Sequence, residues 1–149
     1  MILISHRGNV NSINVERENT QEYIDEAISA GYHVEIDVRC FEDKLWLGHD
    51  TPDVIVEKMW LIERADKLFI HAKNYDALEF FLYRTNIPVF YHTVESHVLI
   101  GNTSLIWSHQ LEEAASKSII PLLSKEDFKR KDEFKYVHGI CSDFVGELT

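Results

Sequence analysis

The chain has 149 residues, 45 % of them hydrophobic, and a formal net charge of −10 at pH 7. That length suits one domain over residues 1–149 with a substantial core. The charge repels nucleic acid and anionic membranes, so no nucleic-acid partner is expected. No stretch approaches the ~20 apolar residues of a membrane span. The start, Met1-Ile2-Leu3-Ile4-Ser5-His6-Arg7, lacks the basic opening of a signal peptide. Together these point to a cytoplasmic protein without an integral membrane segment. Cys40 and Cys141 lie far apart with no CxxC pair. They read as small buried thiols, not as a zinc finger or disulfide scaffold. The densest basic stretch, 125–135, mixes its lysines with acids and reads as a solvated helix face.

In chain order, residues 1–5 read as a first strand. Asn19 is placed to cap a helix, with Glu22 three residues on as in a capping box. Tyr23, Ile24, Ala27 and Ile28 form that helix's apolar stripe, and Gly31 stops it. A second strand covers 33–39, Lys44–Leu47 is a short extended piece, and 54–65 reads as a helix. Leu68–Ala72 is the third strand, and Asn74 caps a helix with Leu78, Phe81 and Leu82 on one side. A fourth strand covers 88–92. The pattern then changes. Residues 104–107, 119–122 and 137–141 read as strands, 124–134 as the one clear helix, and 111–117 fits more than one state. Alternating strand and helix argues for a parallel sheet with right-handed crossovers. The predicted fold is α/β: a compact or incomplete TIM-like (β/α) barrel of about seven strands, with few helices in the second half. Eight full units take ~250 residues, and ~200 at the least, which this chain does not have.

The chemistry is concentrated near strand ends. Positions i and i+2 of a strand share a face, so Glu35 and Asp37 point one way while Val34, Ile36 and Val38 point toward the helices. Two inward carboxylates repel, and a hard divalent cation relieves the repulsion. The alternative is a pair of surface acids on an edge strand. His71 and Lys73 repeat the spacing, with Phe69 on their face and Ile70 and Ala72 opposite. His71 is either a third metal ligand or a hydrogen-bonded structural histidine, and Lys73 is a candidate to neutralise a phosphate oxygen. His6 and His49 sit in Gly-flanked turns. Phosphodiester cleavage needs a base on the nucleophile and an acid on the leaving oxygen, and two histidines can do both. Arg7 suits bidentate phosphate contact, and Gly8 lets the backbone approach a ligand. Glu18 holds Arg7, joins a metal shell, or is simply an acid favoured at a helix N-terminus. Trp107 shares a face with His109 and either contacts substrate or fills the core. Nothing in their spacing selects among His92, His97 and His109.

Taken in order, His6-Arg7-Gly8, Glu18-Asn19-Thr20, Glu35-Ile36-Asp37 and Gly48-His49-Asp50 resemble the signature of the glycerophosphodiester phosphodiesterase family. Gly139-Ile140-Cys141-Ser142-Asp143 is similar to that family's last strand. The likeness covers about residues 1–74 and the final strand. It implies a phosphodiesterase barrel, with His6 and His49 as the acid/base pair and Arg7 on the phosphate. Glu35 and Asp37 would hold magnesium or calcium. Where the family usually has an acid two residues before a retained lysine, this chain has His71 before Lys73. A softer ligand there also admits manganese or zinc. Phospholipase D-like enzymes share the general site plan, so the resemblance implies a small phosphodiester substrate without fixing its alcohol. It leaves the oligomeric state open. It also leaves a second reading, a catalytically degenerate barrel that binds a phosphorylated ligand.

Overall fold

The computed structural model describes residues 1–148. Its strands and α-helices follow in the order β1 (Ile2–His6), α1 (Gln21–Ser29), β2 (His33–Phe41), β3 (Lys44–Leu47), β4 (Val54–Val56), α2 (Lys58–Ile62), β5 (Leu68–Ala72), α3 (Tyr75–Arg84), β6 (Val89–Tyr91), β7 (His97–Ile100), β8 (Leu105–Ser108), β9 (Ser118–Pro121), α4 (Lys125–Lys129) and β10 (Gly139–Ser142). All ten strands belong to one sheet. Its centre is a parallel run in the order β6-β5-β2-β1-β10-β9-β8. Three antiparallel additions complete it: β3 on the C-terminal part of β2, β4 on β3, and β7 on β8.

The α/β class with few helices in the second half stands. The strand count is ten rather than about seven, and the ladders do not close the sheet into a barrel. Among the described residues β6 and β7 share no ladder; an isolated antiparallel bridge joins Val89 of β6 to Gly101, the residue after β7. A parallel crossover needs a dozen or more residues, usually a helix. Between β6 and β8 the chain instead spends its residues on β7, which pairs back antiparallel.

Three element boundaries differ from the sequence reading, each for a local reason. The helix expected over 54–65 begins as β4, because three β-branched residues, Val54, Ile55 and Val56, pair with Leu45–Leu47. Only Lys58–Ile62 is helical. Thr20, not Asn19, caps α1, accepting from the Tyr23 backbone N–H at 3.4 Å. The helix expected over 124–134 breaks at Arg130 into α4 and a 3-10 turn, Lys131–Phe134. In α3, Asn74 caps as expected, at 3.1 Å from the Ala77 N–H. The buried stripe is Ala77, Phe80 and Phe81, while Leu82 is exposed.

The two faces of the sheet carry different cores. On one face, α1 and α3 cover Val34, Ile36 and Val38 of β2 with Leu68, Ile70 and Ala72 of β5. On the other, Ile4, Phe69, Phe90, Trp107, Ile119 and Cys141 pack together although they come from six different strands. A third cluster, around Ile120, Ile140, Phe128 and Phe134, lies under α4. Cys40 and Cys141 are both buried free thiols. Among the described residues, no helix is long and apolar enough to cross a membrane.

Phe81 is fully buried between α3 and the β2–β5 face. Phe81→Ala should cost about 3–5 kcal/mol of folding stability, read by urea denaturation. A loss below about 1 kcal/mol would mean that α3 does not anchor this core.

Candidate metal centre and its cavity

Register brings the predicted residues together. Parallel pairing sets His6 of β1 beside Glu35 of β2, and Asp37 of β2 beside His71 of β5. Glu35 is 2 % exposed and Asp37 is 0 % exposed. His71 Nδ1 lies 3.2 Å from Asp37 Oδ1 and 3.6 Å from Glu35 Oε1. Glu35, Asp37 and His71 each offer one ligand atom, all within 4.8 Å of one another. Glu35 Oε2, Asp37 Oδ1 and His71 Nε2 are buried and have no hydrogen-bond partner among the described residues. Orphaned polar atoms of this kind are costly. Two carboxylates and an imidazole, close-set and unsatisfied, fit a divalent cation.

The remaining lone pairs of Asp37 are heavily engaged. Asn19 donates to its Oδ2 at 3.0 Å and accepts from its backbone N–H at 3.0 Å. Arg7 Nε is 2.8 Å from Oδ2, and Lys73 Nζ is 3.7 Å from Oδ1. Burial alone would raise the Asp37 pKa, but His71, Arg7 and Asn19 hold it well below the usual carboxylate range. The same pairing acts on His71. Burial would lower its pKa, yet Asp37 and Glu35 push it up to about 9.

Glu18 resolves to one of its expected roles. It holds Arg7 Nη1 at 3.2 Å and accepts from Asn9 at 2.8 Å, outside the metal cluster. Arg7 itself has φ 57°, a strained conformation for a residue with a Cβ. It is kept there by backbone bonds from Arg7 N–H to the Glu35 carbonyl and from Asn19 N–H to the Arg7 carbonyl.

The two candidate acid/base histidines have different settings. His6 is buried, its Nδ1 2.8 Å from Asp143 Oδ1 and its Nε2 3.8 Å from Glu35 Oε2. Burial opposes its charged form, but Asp143 and Glu35 outweigh that and raise its pKa. His49 is more exposed and lies 2.7 Å from Asp50 Oδ1. Its turn is fixed from β2: Arg39 donates to the Gly48 carbonyl and, at 2.7 Å, to the His49 carbonyl. Gly48 has φ 146°, and a Cβ there would lie 2.0 Å from the Thr51 carbonyl oxygen, so only glycine fits this turn.

A cavity of about 300 Å³ opens over the cluster, lined by Glu35 and His71 together with His6, Arg7, His49 and Lys73. Its far wall includes Trp107, which is 3 % exposed and stacked on Phe90 at 4.3 Å between ring centroids. Trp107 is thus a core residue whose edge reaches the cavity. A second cavity of about 360 Å³ shares His6, Arg7 and His49 and extends past Glu18 and Asp143.

Sequence reasoning left four residues without a site role: Asn9, Asn19, Arg39 and Asp143. Arg39 continues the i, i+2 series of Glu35 and Asp37, so alternation marked its face. Asp143 closes the last-strand motif. Asn19 was readable only as a cap, and nothing local distinguishes Asn9. With this geometry in hand, no protein-family model, curated protein or solved structure matches the chain.

Because His71 carries a proton up to pH about 9, a cation must displace that proton to use the ring as a ligand. Its folded pKa is raised, so competition is strongest at lower pH and fades as pH rises toward 9. Divalent-metal affinity should therefore climb from pH about 7 to about 9. Calorimetry in two buffers of different ionisation enthalpy should read close to one proton released per cation at neutral pH. A pH-independent affinity with no proton release would remove His71 from the ligand set.

Proposed function

We propose that this chain is a metal-dependent phosphodiesterase, similar to the glycerophosphodiester phosphodiesterase family, that cleaves a small phosphodiester by histidine acid/base catalysis. One observation carries the reading: two histidines, an arginine and a lysine line the same cavity as the Glu35–His71 side of a three-ligand cluster. Each group has a use in phosphodiester cleavage, and binding alone needs no acid/base pair. The proposed scaffold is a short, curled, barrel-like α/β sheet. Support for the curl comes from the Phe90–Trp107 stack and from the backbone bonds joining Val89 to Gly101 across the β6 and β7 segments.

A divalent cation held by Glu35, Asp37 and His71 would polarise a phosphate oxygen. Arg7 has Nε and Nη1 occupied by Asp37 and Glu18, which leaves Nη2 for the phosphate. Lys73 adds positive charge beside it, and both cations meet the negative charge that grows in the transition state. His6 is the acid: Asp143 holds Nδ1 and fixes the ring, so the proton on Nε2 is the one it can give to the leaving alkoxide. His49 is the base and takes the proton of the attacking hydroxyl. Water as nucleophile yields a monoester and an alcohol. A neighbouring hydroxyl of the substrate yields a cyclic phosphate.

A specific observation favours a second reading. The His71 ring sits against both carboxylates, so a protonated ring balances their charge without a cation. In that case the chain is a catalytically degenerate domain that binds a phosphorylated ligand.

Hydrolysis of bis(p-nitrophenyl) phosphate and a panel of glycerophosphodiesters, after chelation and with magnesium, calcium, manganese or zinc restored singly, separates the two. We expect turnover that returns with metal and is lost in Glu35→Ala/Asp37→Ala. His6→Ala and His49→Ala should each lower it by roughly 10²–10⁴-fold. Binding of phosphate esters without turnover under any metal would establish the degenerate reading. Wild-type turnover in both histidine variants would sink the acid/base assignment.

A further inference from the structure

Six arginines occur in the chain, and five of them face carboxylates: Arg7 meets Asp37, Arg17 meets Glu26, Arg64 meets Asp25, Arg84 meets Asp43 and Arg130 meets Glu133. Arg39 differs. Among the described residues its guanidinium is hydrogen-bonded to two consecutive backbone carbonyls, those of Gly48 and His49, the second at 2.7 Å. A flat guanidinium with a fork of N–H donors fits such a pair, whereas an ammonium is a point charge. Strand alternation puts Arg39 on the face of β2 that carries Glu35 and Asp37. Among the described residues it lines neither of the two cavities that His49 lines, so it reaches the site only through the turn it holds.

The need for that hold follows from the rest of the turn. At its start the Gly48 N–H donates to the Asp37 carbonyl at 3.1 Å, and at its end the Asp53 N–H donates to the Leu47 carbonyl at 2.9 Å. Between these two bonds the chain runs over the surface. Asp50 and Thr51 are exposed, and the His49 side chain is 41 % exposed. The partner of the His49 ring is Asp50, whose side chain is 89 % exposed. A carboxylate in open solvent holds a ring weakly. His6 is the contrast, with its ring on the buried Asp143. One candidate acid/base histidine is therefore oriented by a buried side-chain partner, and the other through its own backbone. The Asp37 backbone and the Arg39 side chain both belong to β2, so the strand that supplies two candidate ligands also locates His49.

We propose that Arg39 is a positioning residue for the candidate base His49. It presents the imidazole to the cavity by gripping the two carbonyls at the start of the turn, and it touches neither phosphate nor metal. The proposal rests on the phosphodiesterase reading of the site, in which His49 takes the proton of the nucleophile.

The test uses the best-cleaved diester of the panel above, with metal restored. A displacement of about 1 Å in a reacting group costs on the order of 10²-fold, so Arg39→Ala should lower kcat by about that factor while KM and metal affinity stay near wild type. Arg39→Lys, which keeps the charge and loses the fork, should fall between. If Arg39→Ala does not fold, Arg39→Lys carries the same comparison. Either substitution made in His49→Ala should cost almost nothing more, because the group it positions is already gone. Wild-type kcat in the Arg39 variants, or an equal loss with and without the His49 imidazole, would overturn the proposal and leave the phosphodiesterase standing. If no diester is cleaved, that reading fails instead, and backbone order decides the role of Arg39. Amide relaxation measured by NMR should then show His49 and Asp50 as ordered as the sheet in the wild type and more mobile in Arg39→Lys, with His6 and Arg7 unchanged. Equal order at His49 in both proteins would overturn the proposal.

Discussion

The fully buried carboxylate of Asp37 is the constraint on which the rest of the site hangs. An ionised carboxylate deprived of water is tolerated only when charge and hydrogen bonds replace the lost hydration. Here Asn19, Arg7, His71 and Lys73 replace it. These partners come from three places: the loop after β1, the start of α1, and the end of β5. Satisfying one side chain therefore fixes the position of three segments. It also keeps Arg7 in a backbone conformation that would otherwise relax.

From Arg7 the polar network runs on without a break. Glu18 joins Arg7 to Asn9, Asn9 joins Glu18 to Asp143, and Asp143 orients His6. The chain's first and last parallel strands are thus coupled through side chains as well as through the β1–β10 ladder. Buried networks of this kind are costly when incomplete and specific when complete. Buried atoms on Glu35, Asp37 and His71, the three residues of the candidate metal cluster, are among those left without a hydrogen-bond partner.

The two halves of the chain divide the work. The first half has helices on the outside of its strands and uses the opposite face for charge. The second half has little helix and fills the same face with rings, Phe90, Trp107, His92 and His109. Charge collects around Glu35, Asp37, His71 and Lys73, and rings collect on the wall that faces them across the cavity. That division suits a site in which orientation comes from a few polar groups and shape from the remainder.

Read alone, the sequence determined the strands that alternate cleanly, the i, i+2 pairing of Glu35 with Asp37 and of His71 with Lys73, and the glycine turns beside His6 and His49. Those features are local: period and side-chain direction follow from a few consecutive residues. It misjudged residues 54–56, where β-branched residues found a partner strand, and it missed β7, whose pairing is with a neighbour rather than with its own pattern. The number of strands and the sheet's open ladder were likewise out of reach, because both depend on which edges meet. Only the tertiary structure decided that Asn19 serves Asp37 instead of a helix end, that Asp143 belongs to His6, and that His109 lines two cavities. The physical reason is the same in each case. A buried polar group takes the nearest partner in space, and parallel strands bring residues more than a hundred positions apart to within hydrogen-bond distance, as they do His6 and Asp143, 137 positions apart in the sequence.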